Sequence, residues 1–252
     1  MTAMTPLSFD KAPEAQKTST VGQLVAEHPL RARVMEQHGI DYCCGGNITL
    51  EEACSRKGLD VEAVLDAIKH AEDDGTSDNT DWSNVRLSQL IDHIVNVYHR
   101  PLREELPRIS ELAIKVARVH GDKHPEMKRV ADILVEFREE LLLHMQKEEL
   151  ILFPGIARLE SGVSGQFGCG MGIEHPIAVM MQEHDSAGDA LKAMRKLTND
   201  YTPPADACNS FNALLFALAQ LESQMHEHVH KENNILFPRA QKMTPHAIHP
   251  NG

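Results

Sequence analysis

Long apolar runs are missing from this chain, and their absence excludes two classes of protein. No run approaches the roughly 20 apolar residues that a membrane-spanning helix needs. The first 20 residues, MTAMTPLSFDKAPEAQKTST, also lack the apolar stretch of a secretory signal peptide. Positive charge is scarce as well, with 25 Lys and Arg against 37 Asp and Glu, a net charge of −12. We therefore expect a cytoplasmic protein with neither nucleic acid nor membrane as its partner.

Cysteine is also rare, and the count of five is odd. A disulfide framework is therefore not expected, and the thiols should be reduced. Two of them, Cys43 and Cys44, are adjacent in the segment DYCCGGN, between two short predicted helices. They are interpreted as two thiols, a metal-bound pair or a transient redox pair; the structural alternative is a plain turn at a helix end. Cys54, Cys169 and Cys208 are weak candidates for function.

Strand patterns are absent, because no stretch alternates between apolar and polar residues for long enough. The chain is 42% hydrophobic, which is enough for a packed core, and its apolar residues follow a helical period. We predict an all-α fold, in which Pro101 and Pro107 perturb the first long helix. The predicted domains are a mobile tail (1–18), a small helical module (19–71), an acidic linker (72–83), a four-helix bundle (84–241) and a second tail (242–252).

A repeated phrase is the strongest feature of the sequence. HMQKEELILFP at residues 144–154 returns 84 residues later as HVHKENNILFP at residues 228–238. A further histidine stands 45 residues before the first copy and 44 residues before the second. The hairpin motif is thus used twice in nearly the same register. The repeated positions with ligand chemistry are His99, His144, Glu148, His184, His228 and Glu232.

The repeated residues suit a metal centre with two ions. In a helix, residues i and i+4 differ by roughly 40° and about 6 Å of rise, so each His-x-x-x-Glu pair projects from one face. Imidazole with carboxylate suits iron and other first-row transition metals. Four histidines and two carboxylates exceed the needs of one tetrahedral zinc, whereas two irons could share the two glutamates. The HExxH motif of zinc peptidases is absent, and ferritin-like sites carry more carboxylates.

The other histidines are not expected to be ligands. His120 lies 21 residues beyond His99, which places it about 30 Å away if one helix runs through both. His226 and His230 form an i, i+4 pair on the face opposite His228, and we predict that this face is solvated.

The combination of motifs resembles a known family. DYCCGG in a small helical module, followed by two copies of His-x-x-x-Glu-x-x-x-Leu-Phe-Pro in a bundle, is similar to the iron-sulfur cluster repair di-iron proteins, the RIC family. The resemblance covers about residues 20–241. It implies a hemerythrin-like second domain and two iron ions per chain in an oxo- and carboxylate-bridged centre. The implied terminal ligands and bridging carboxylates are His99, His144, His184 and His228, with Glu148 and Glu232.

The resemblance also implies a function. It indicates a cytoplasmic stress-response protein that repairs iron-sulfur clusters damaged by nitric oxide or peroxide, and often a homodimer. Cys43 and Cys44 match the family's paired cysteines and are candidates for transfer or redox chemistry. Oxygen-carrying hemerythrins have a further histidine where this chain has Gly188, so an open coordination position is expected. Iron donation, a nitric oxide or oxygen trap or sensor, and a nitric oxide reductase would use the same ligands, and the sequence does not choose between them.

Overall fold

The computed structural model describes residues 13–73, 82–162 and 172–243. In these ranges the chain is helical, and its only β pairing is an isolated bridge between Thr20 and Thr49. The all-α prediction is therefore confirmed. The chain divides into two compact units, Met1–Ser83 and Asn84–Gly252. Residues 1–12 and 244–252 of the predicted tails, residues 74–81 of the predicted linker, and Cys169 lie outside the described ranges.

The first unit is built from short helices with clear start and stop signals. The Thr20 hydroxyl accepts from the Gln23 amide at 3.3 Å, while the Gln23 side chain accepts from the Thr20 amide at 3.2 Å. This reciprocal capping box begins the first helix. Gly58 ends the third helix at φ +66°, a conformation that only glycine adopts at low cost. The helices are α1 (Val21–Glu27), α2 (Arg31–Gln37), α3 (Leu50–Lys57) and α4 (Val61–Asp73).

A buried arginine connects the ends of this unit. Arg31 is fully buried, and its guanidinium donates to the Glu72 carboxylate and to the Pro13 carbonyl, both at 2.6 Å. The helix α4 extends to Asp73, so residues 72 and 73 of the predicted linker are helical. Residue 13 of the predicted mobile tail is likewise held against the unit. The physical reason is that a buried guanidinium needs acceptors for its donors, and these two segments supply them.

The second unit is a bundle of four long helical stretches. In space, α6 packs against α7 and α10, and α9 packs against the same two helices. This closed arrangement confirms the prediction of a four-helix bundle. The α-helices are α5 (Leu87–Ile94), α6 (Arg100–His120), α7 (Glu126–Lys147), α8 (Phe153–Glu160), α9 (Glu174–Leu197), α10 (Asn209–His230) and α11 (Phe237–Lys242). No helix in the described ranges is long and apolar enough to cross a membrane.

Within the described ranges, three of the four stretches contain a π-helical segment. The segments are Val95–His99, Glu148–Leu152 and Lys231–Leu236. At the end of each, an amide bonds to the carbonyl five residues earlier: Arg100 to Val95, Phe153 to Glu148, and Phe237 to Glu232. A proline follows every one of these donors. Because proline has no N–H, it cannot continue the α-helical ladder at that point, which favours the wider turn.

The predicted perturbation by proline in the first long helix differs at its two positions. Pro101 follows the first π-helical segment, where the helix leaves regular α geometry. Pro107 lies inside α6, which continues to His120. Pro107 has no N–H and so removes one backbone hydrogen bond from α6, but the helix continues and packs against α7 and α10.

An ion pair between Arg195, whose side chain is 45% exposed, and the buried Glu222 joins α9 to α10. Glu222 is 2% exposed. Its two carboxylate oxygens accept from Arg195 Nε at 3.1 and 2.9 Å. Asp200 also accepts from this guanidinium, at 3.3 Å. The helices α9 and α10, which this pair joins, also carry His184 and His228. The pair therefore contributes to the relative placement of those two helices.

We predict that Arg195→Ala destabilises the bundle by about 1 to 2 kcal/mol, because the buried Glu222 carboxylate loses its partner, while the exposure of Arg195 to water reduces the loss below that of a fully buried pair. Arg195→Met combined with Glu222→Leu should recover most of the loss, since no charge then remains buried. Arg108→Ala removes an exposed ion pair with Glu105 and serves as the control, with a loss of less than about 1 kcal/mol. Hydrogen exchange of the α10 amides measures each loss. Equal losses for the two single variants would contradict the prediction.

Candidate metal centre

The bundle brings all six repeated residues together in its interior. His99 ends the first π-helical segment, while Glu148 begins the second and Glu232 lies in the third. His144, His184 and His228 lie on regular α-helix. Every one of the six is at most 4% exposed. The sequence spacing therefore corresponds to one cluster in space.

The six side chains form two groups of potential ligands. In the first group, the Nε2 atoms of His99 and His228 are 3.1 Å apart. In the second group, the Nε2 atoms of His144 and His184 are 3.0 Å apart. Each group also includes both glutamates, and its ligand atoms all lie within 4.8 Å of one another. Each group can hold a metal ion.

The two glutamates belong to both groups. Oε2 of Glu148 is 3.5 Å from Nε2 of His99 and 3.3 Å from Nε2 of His144. Oε1 of Glu232 is 3.0 Å from Nε2 of His228, whereas its Oε2 is 3.2 Å from Nε2 of His184. Each carboxylate thus lies between the two histidine pairs. This is the arrangement in which carboxylates bridge two ions.

The hydrogen bonding of the glutamates fits a bound cation. Both oxygens of Glu148 and Oε2 of Glu232 are buried and accept no hydrogen bond from the described residues. A buried carboxylate without donors is costly, by several kcal/mol, unless a positive charge lies beside it. The donor set of imidazole nitrogen and carboxylate oxygen suits first-row transition metals. The residues present therefore fit a two-metal centre.

Three of the four imidazoles are oriented by a second residue. Nδ1 of His99 lies 2.7 Å from Glu149, Nδ1 of His144 lies 2.8 Å from Glu183, and Nδ1 of His184 lies 2.9 Å from Asn233. Such a bond directs the opposite nitrogen, Nε2, to the metal. We did not predict these partners. The available signal was adjacency, since each stands next to another ligand candidate in the sequence.

Charge within the cluster shifts the pKa of its members. Burial opposes protonation of His144, but the negative charge of Glu148 outweighs it and raises the pKa of His144 to about 9. For His228, burial dominates and lowers the pKa. Burial also opposes ionisation of Glu232, yet the charge of His228 and the close approach of the neighbouring imidazoles hold the pKa of this carboxyl well below its usual range. A metal must therefore displace protons from imidazole.

The paired cysteines form a third group with an aspartate. Oδ1 of Asp41 accepts from the amides of Cys43, Cys44 and Gly45 at 3.0 to 3.2 Å, and from the Cys43 thiol at 3.3 Å. The two sulfurs are 3.9 Å apart and are not bonded as a disulfide. The hydrogen bond between the two thiols and the burial of Cys43 raise the pKa of the Cys43 thiol. Asp41 was not among the predicted site residues, because its contacts depend on the tight turn.

The remaining histidines lie outside the two groups. His120 contacts Cys208, with Nε2 3.1 Å from Sγ. The prediction of a solvated face for His230 is wrong, because this residue is 4% exposed, and its Nδ1 lies 3.2 Å from Nδ2 of Asn234. The helical period placed it opposite His228 correctly. His230 is the last residue before the wide turn Lys231–Leu236, so the regular helical period alone does not predict its burial.

Both units match known domain families. Residues 90–240 match the family described as the hemerythrin HHE cation binding domain. Residues 17–72 match a second family, described as a domain of unknown function (DUF542). The first match includes all six residues of the two groups, and the second includes the paired cysteines.

Similar proteins align along nearly their whole length. The chain is 41% identical over 226 residues to the iron-sulfur cluster repair protein YtfE of Enterobacter sp. (strain 638). It is 40% identical over 227 residues to the protein of the same name from Escherichia coli O17:K52:H18 (strain UMN026 / ExPEC). Each alignment covers 90% of this chain and 98% of the relative. The Citrobacter koseri protein is 40% identical over 220 residues, 87% of this chain and 95% of the relative.

We predict that binding of Co²⁺ to the metal-free protein releases more protons at pH 7 than at pH 10. Because the pKa of His144 is about 9, its imidazole carries a proton at pH 7 that a metal must displace. The apparent affinity should rise up to about tenfold per pH unit below pH 9 and level off above it. Calorimetry in buffers of different ionisation enthalpy measures the protons released. His120→Ala should change neither quantity, and equal release at both pH values would contradict the prediction.

Proposed function

The chain belongs to the iron-sulfur cluster repair proteins with a hemerythrin HHE domain, and we propose that it repairs damaged clusters by donating iron. The observation that carries this proposal is the sharing of Glu148 and Glu232 between two histidine pairs. Shared carboxylates would allow the two groups to hold two metal ions close together in the bundle. The clients are iron-sulfur proteins damaged by nitric oxide or by oxidants.

Each iron would take two histidines and the shared carboxylates. His99 and His228 would hold one iron, and His144 and His184 would hold the other. Mixed nitrogen and oxygen ligands suit iron, and the carboxylates offset its positive charge in a buried site. The bound irons supply redox chemistry and a binding place for small ligands. With Gly188 one turn beyond His184, the protein offers no further histidine there. An open coordination position favours release of iron or reaction with nitric oxide.

The thiols of the first unit serve the delivery of iron. Thiolate is a soft, exchangeable ligand through which iron can pass, whereas the bundle ligands hold it without thiols. Asp41 gathers the amides of Cys43 and Cys44 and keeps the two sulfurs on one turn. Cys44 is the more accessible of the pair. Free thiols suit a reducing compartment, and we propose the cytoplasm as the location.

We predict about two irons per chain, held by the six buried residues. Glu148→Leu and Glu232→Leu should each lower the iron content, and the double replacement should remove most of it, because each carboxylate faces both histidine pairs. His120→Ala is the control and should retain both irons, since it contacts Cys208 instead. Iron analysis and near-ultraviolet absorption measure the result. Full iron content in the double variant would exclude this ligand set.

A second prediction separates iron binding from iron delivery. Cys43→Ser with Cys44→Ser should retain both irons and lose repair of a nitric-oxide-damaged iron-sulfur enzyme, because serine hydroxyls are not soft, exchangeable ligands. Cys54→Ser is the matched control, because Cys54 is buried in the core of the same unit, apart from the Asp41 turn. Labelled iron followed into the client measures delivery.

Each outcome of the labelled-iron experiment has a distinct meaning. Transfer of label into the client supports donation. Retained label in the intact protein indicates a nitric oxide or oxygen trap or sensor, and release of nitrous oxide indicates a reductase. Repair at the full rate by the double cysteine variant would show that Cys43 and Cys44 are only a structural turn.

A further inference from the structure

The internal repeat extends beyond the six ligand candidates to the residues around them. Lys147 follows His144 by three positions, and Lys231 follows His228 in the same way. His144 shares its ligand group with His184, and His228 shares its group with His99. The residues that precede His184 and His99 differ. Glu183 precedes His184, whereas the residue that precedes His99 is Tyr98. One half of the centre therefore has a carboxylate where the other half has a phenol.

The contacts show that these two residues occupy equivalent places. In one half, Glu183 accepts from Lys147 and lies 2.8 Å from Nδ1 of His144. In the other half, Lys231 donates to the Tyr98 hydroxyl at 2.7 Å. Lys147 and Lys231 thus contact equivalent positions. The group at that position is a carboxylate in one case and a phenol in the other.

This difference leaves one imidazole without an anchor. The Tyr98 ring is stacked on His228, with centroids 5.2 Å apart and planes within 5°. Its hydroxyl donates to the Glu227 carboxylate at 3.1 Å, away from the imidazole nitrogen. Nδ1 of His228 is buried and has no hydrogen-bond partner among the described residues. The other three ligand histidines each have an acceptor within 2.9 Å.

An anchor of this kind affects metal affinity. A hydrogen bond from Nδ1 fixes the orientation of the ring and makes Nε2 a stronger donor to the metal. Removal of such a partner lowers affinity by about 10-fold to 100-fold. The pair His144 and His184 has both anchors, while the pair His99 and His228 has only one. The two metal positions are therefore unequal in strength.

We propose that Tyr98 makes the iron between His99 and His228 the exchangeable one, so that this iron is delivered while the iron between His144 and His184 stays. The inference rests on the proposed function only in the claim that the released iron reaches a client. The inequality of the two positions follows from the contacts alone. Tyr98 is a positioning residue that acts through His228. A stacked ring keeps the imidazole in place without strengthening its bond to the metal.

The test is the rate at which the iron-loaded protein gives up iron to a ferrous chelator under anaerobic, reducing conditions. The intact protein should release its two irons in two phases of equal size. Tyr98→Glu supplies the missing acceptor next to Lys231 and should slow the fast phase by about tenfold or more. Tyr98→Phe keeps the stacked ring and should leave both phases unchanged. A single phase in the intact protein, or an unchanged fast phase in Tyr98→Glu, would overturn the proposal.

Two further variants assign the phases even if Tyr98→Glu folds poorly. Glu183→Leu removes the anchor of His144 and should speed only the slow phase. Glu149→Leu removes the anchor of His99 and should speed only the fast phase. Acceleration of the same phase by both replacements would overturn the assignment of the exchangeable iron.

The same variants separate this proposal from the proposed function. If iron donation is correct, repair of a damaged client by Tyr98→Glu should slow in proportion to its fast phase. If release slows while repair does not, the inequality of the two irons holds and donation from this position is wrong. If release and repair are both unchanged, the role of Tyr98 is wrong whatever the function.

Discussion

The structure depends on the burial of two carboxylates among four imidazoles in the interior of a helical bundle. Glu148 and Glu232 are fully buried, and oxygens of both accept no hydrogen bond from the described residues. Such burial is unfavourable in an apolar core and becomes favourable beside cations. Protonated histidines, or metal ions in the two ligand groups, would provide that positive charge. The surrounding contacts of the bundle keep these groups at ligand distance, with glutamate and asparagine directing three of the rings.

The backbone adapts to this requirement through its π-helical segments. Three of the four helical stretches widen by one residue per turn next to a proline, and each widened segment contains His99, Glu148 or Glu232. A π-helical turn contains about one residue more than an α-helical turn, so the residues that follow each segment are rotated relative to a regular α-helix. The wider turn lets the ligand point inward while Phe153 and Phe237 remain buried. Phe153 and Phe237 then stack on His99 and His184 and help to exclude water from the centre.

The two units divide the chemistry according to ligand softness. The bundle offers nitrogen and oxygen ligands, which suit iron, whereas the first unit offers the sulfurs of Cys43 and Cys44, which are softer ligands that exchange more readily. Within the bundle, the proposed role of Tyr98 adds a second division, because this ring is stacked on His228, whose Nδ1 has no hydrogen-bond partner in the part of the chain that the structure describes. A protein that only stores iron gains nothing from this inequality. A protein that gives up iron benefits from one firmly held ion, which preserves the centre, and one weakly held ion, which can leave.

The sequence by itself determined the helical class, the bundle and the six ligand candidates. These features depend on local rules: helical period, capping residues such as Thr20, and the i, i+4 spacing within each copy of the repeat. Only the tertiary structure decided which residues orient the ligands, how Arg31 holds residues 13 and 72, and that His230 is buried. Tyr98 and Glu227 are 129 positions apart and meet only because two helices pack side by side. Contacts of that kind depend on the packing of whole helices, which no short window of sequence specifies.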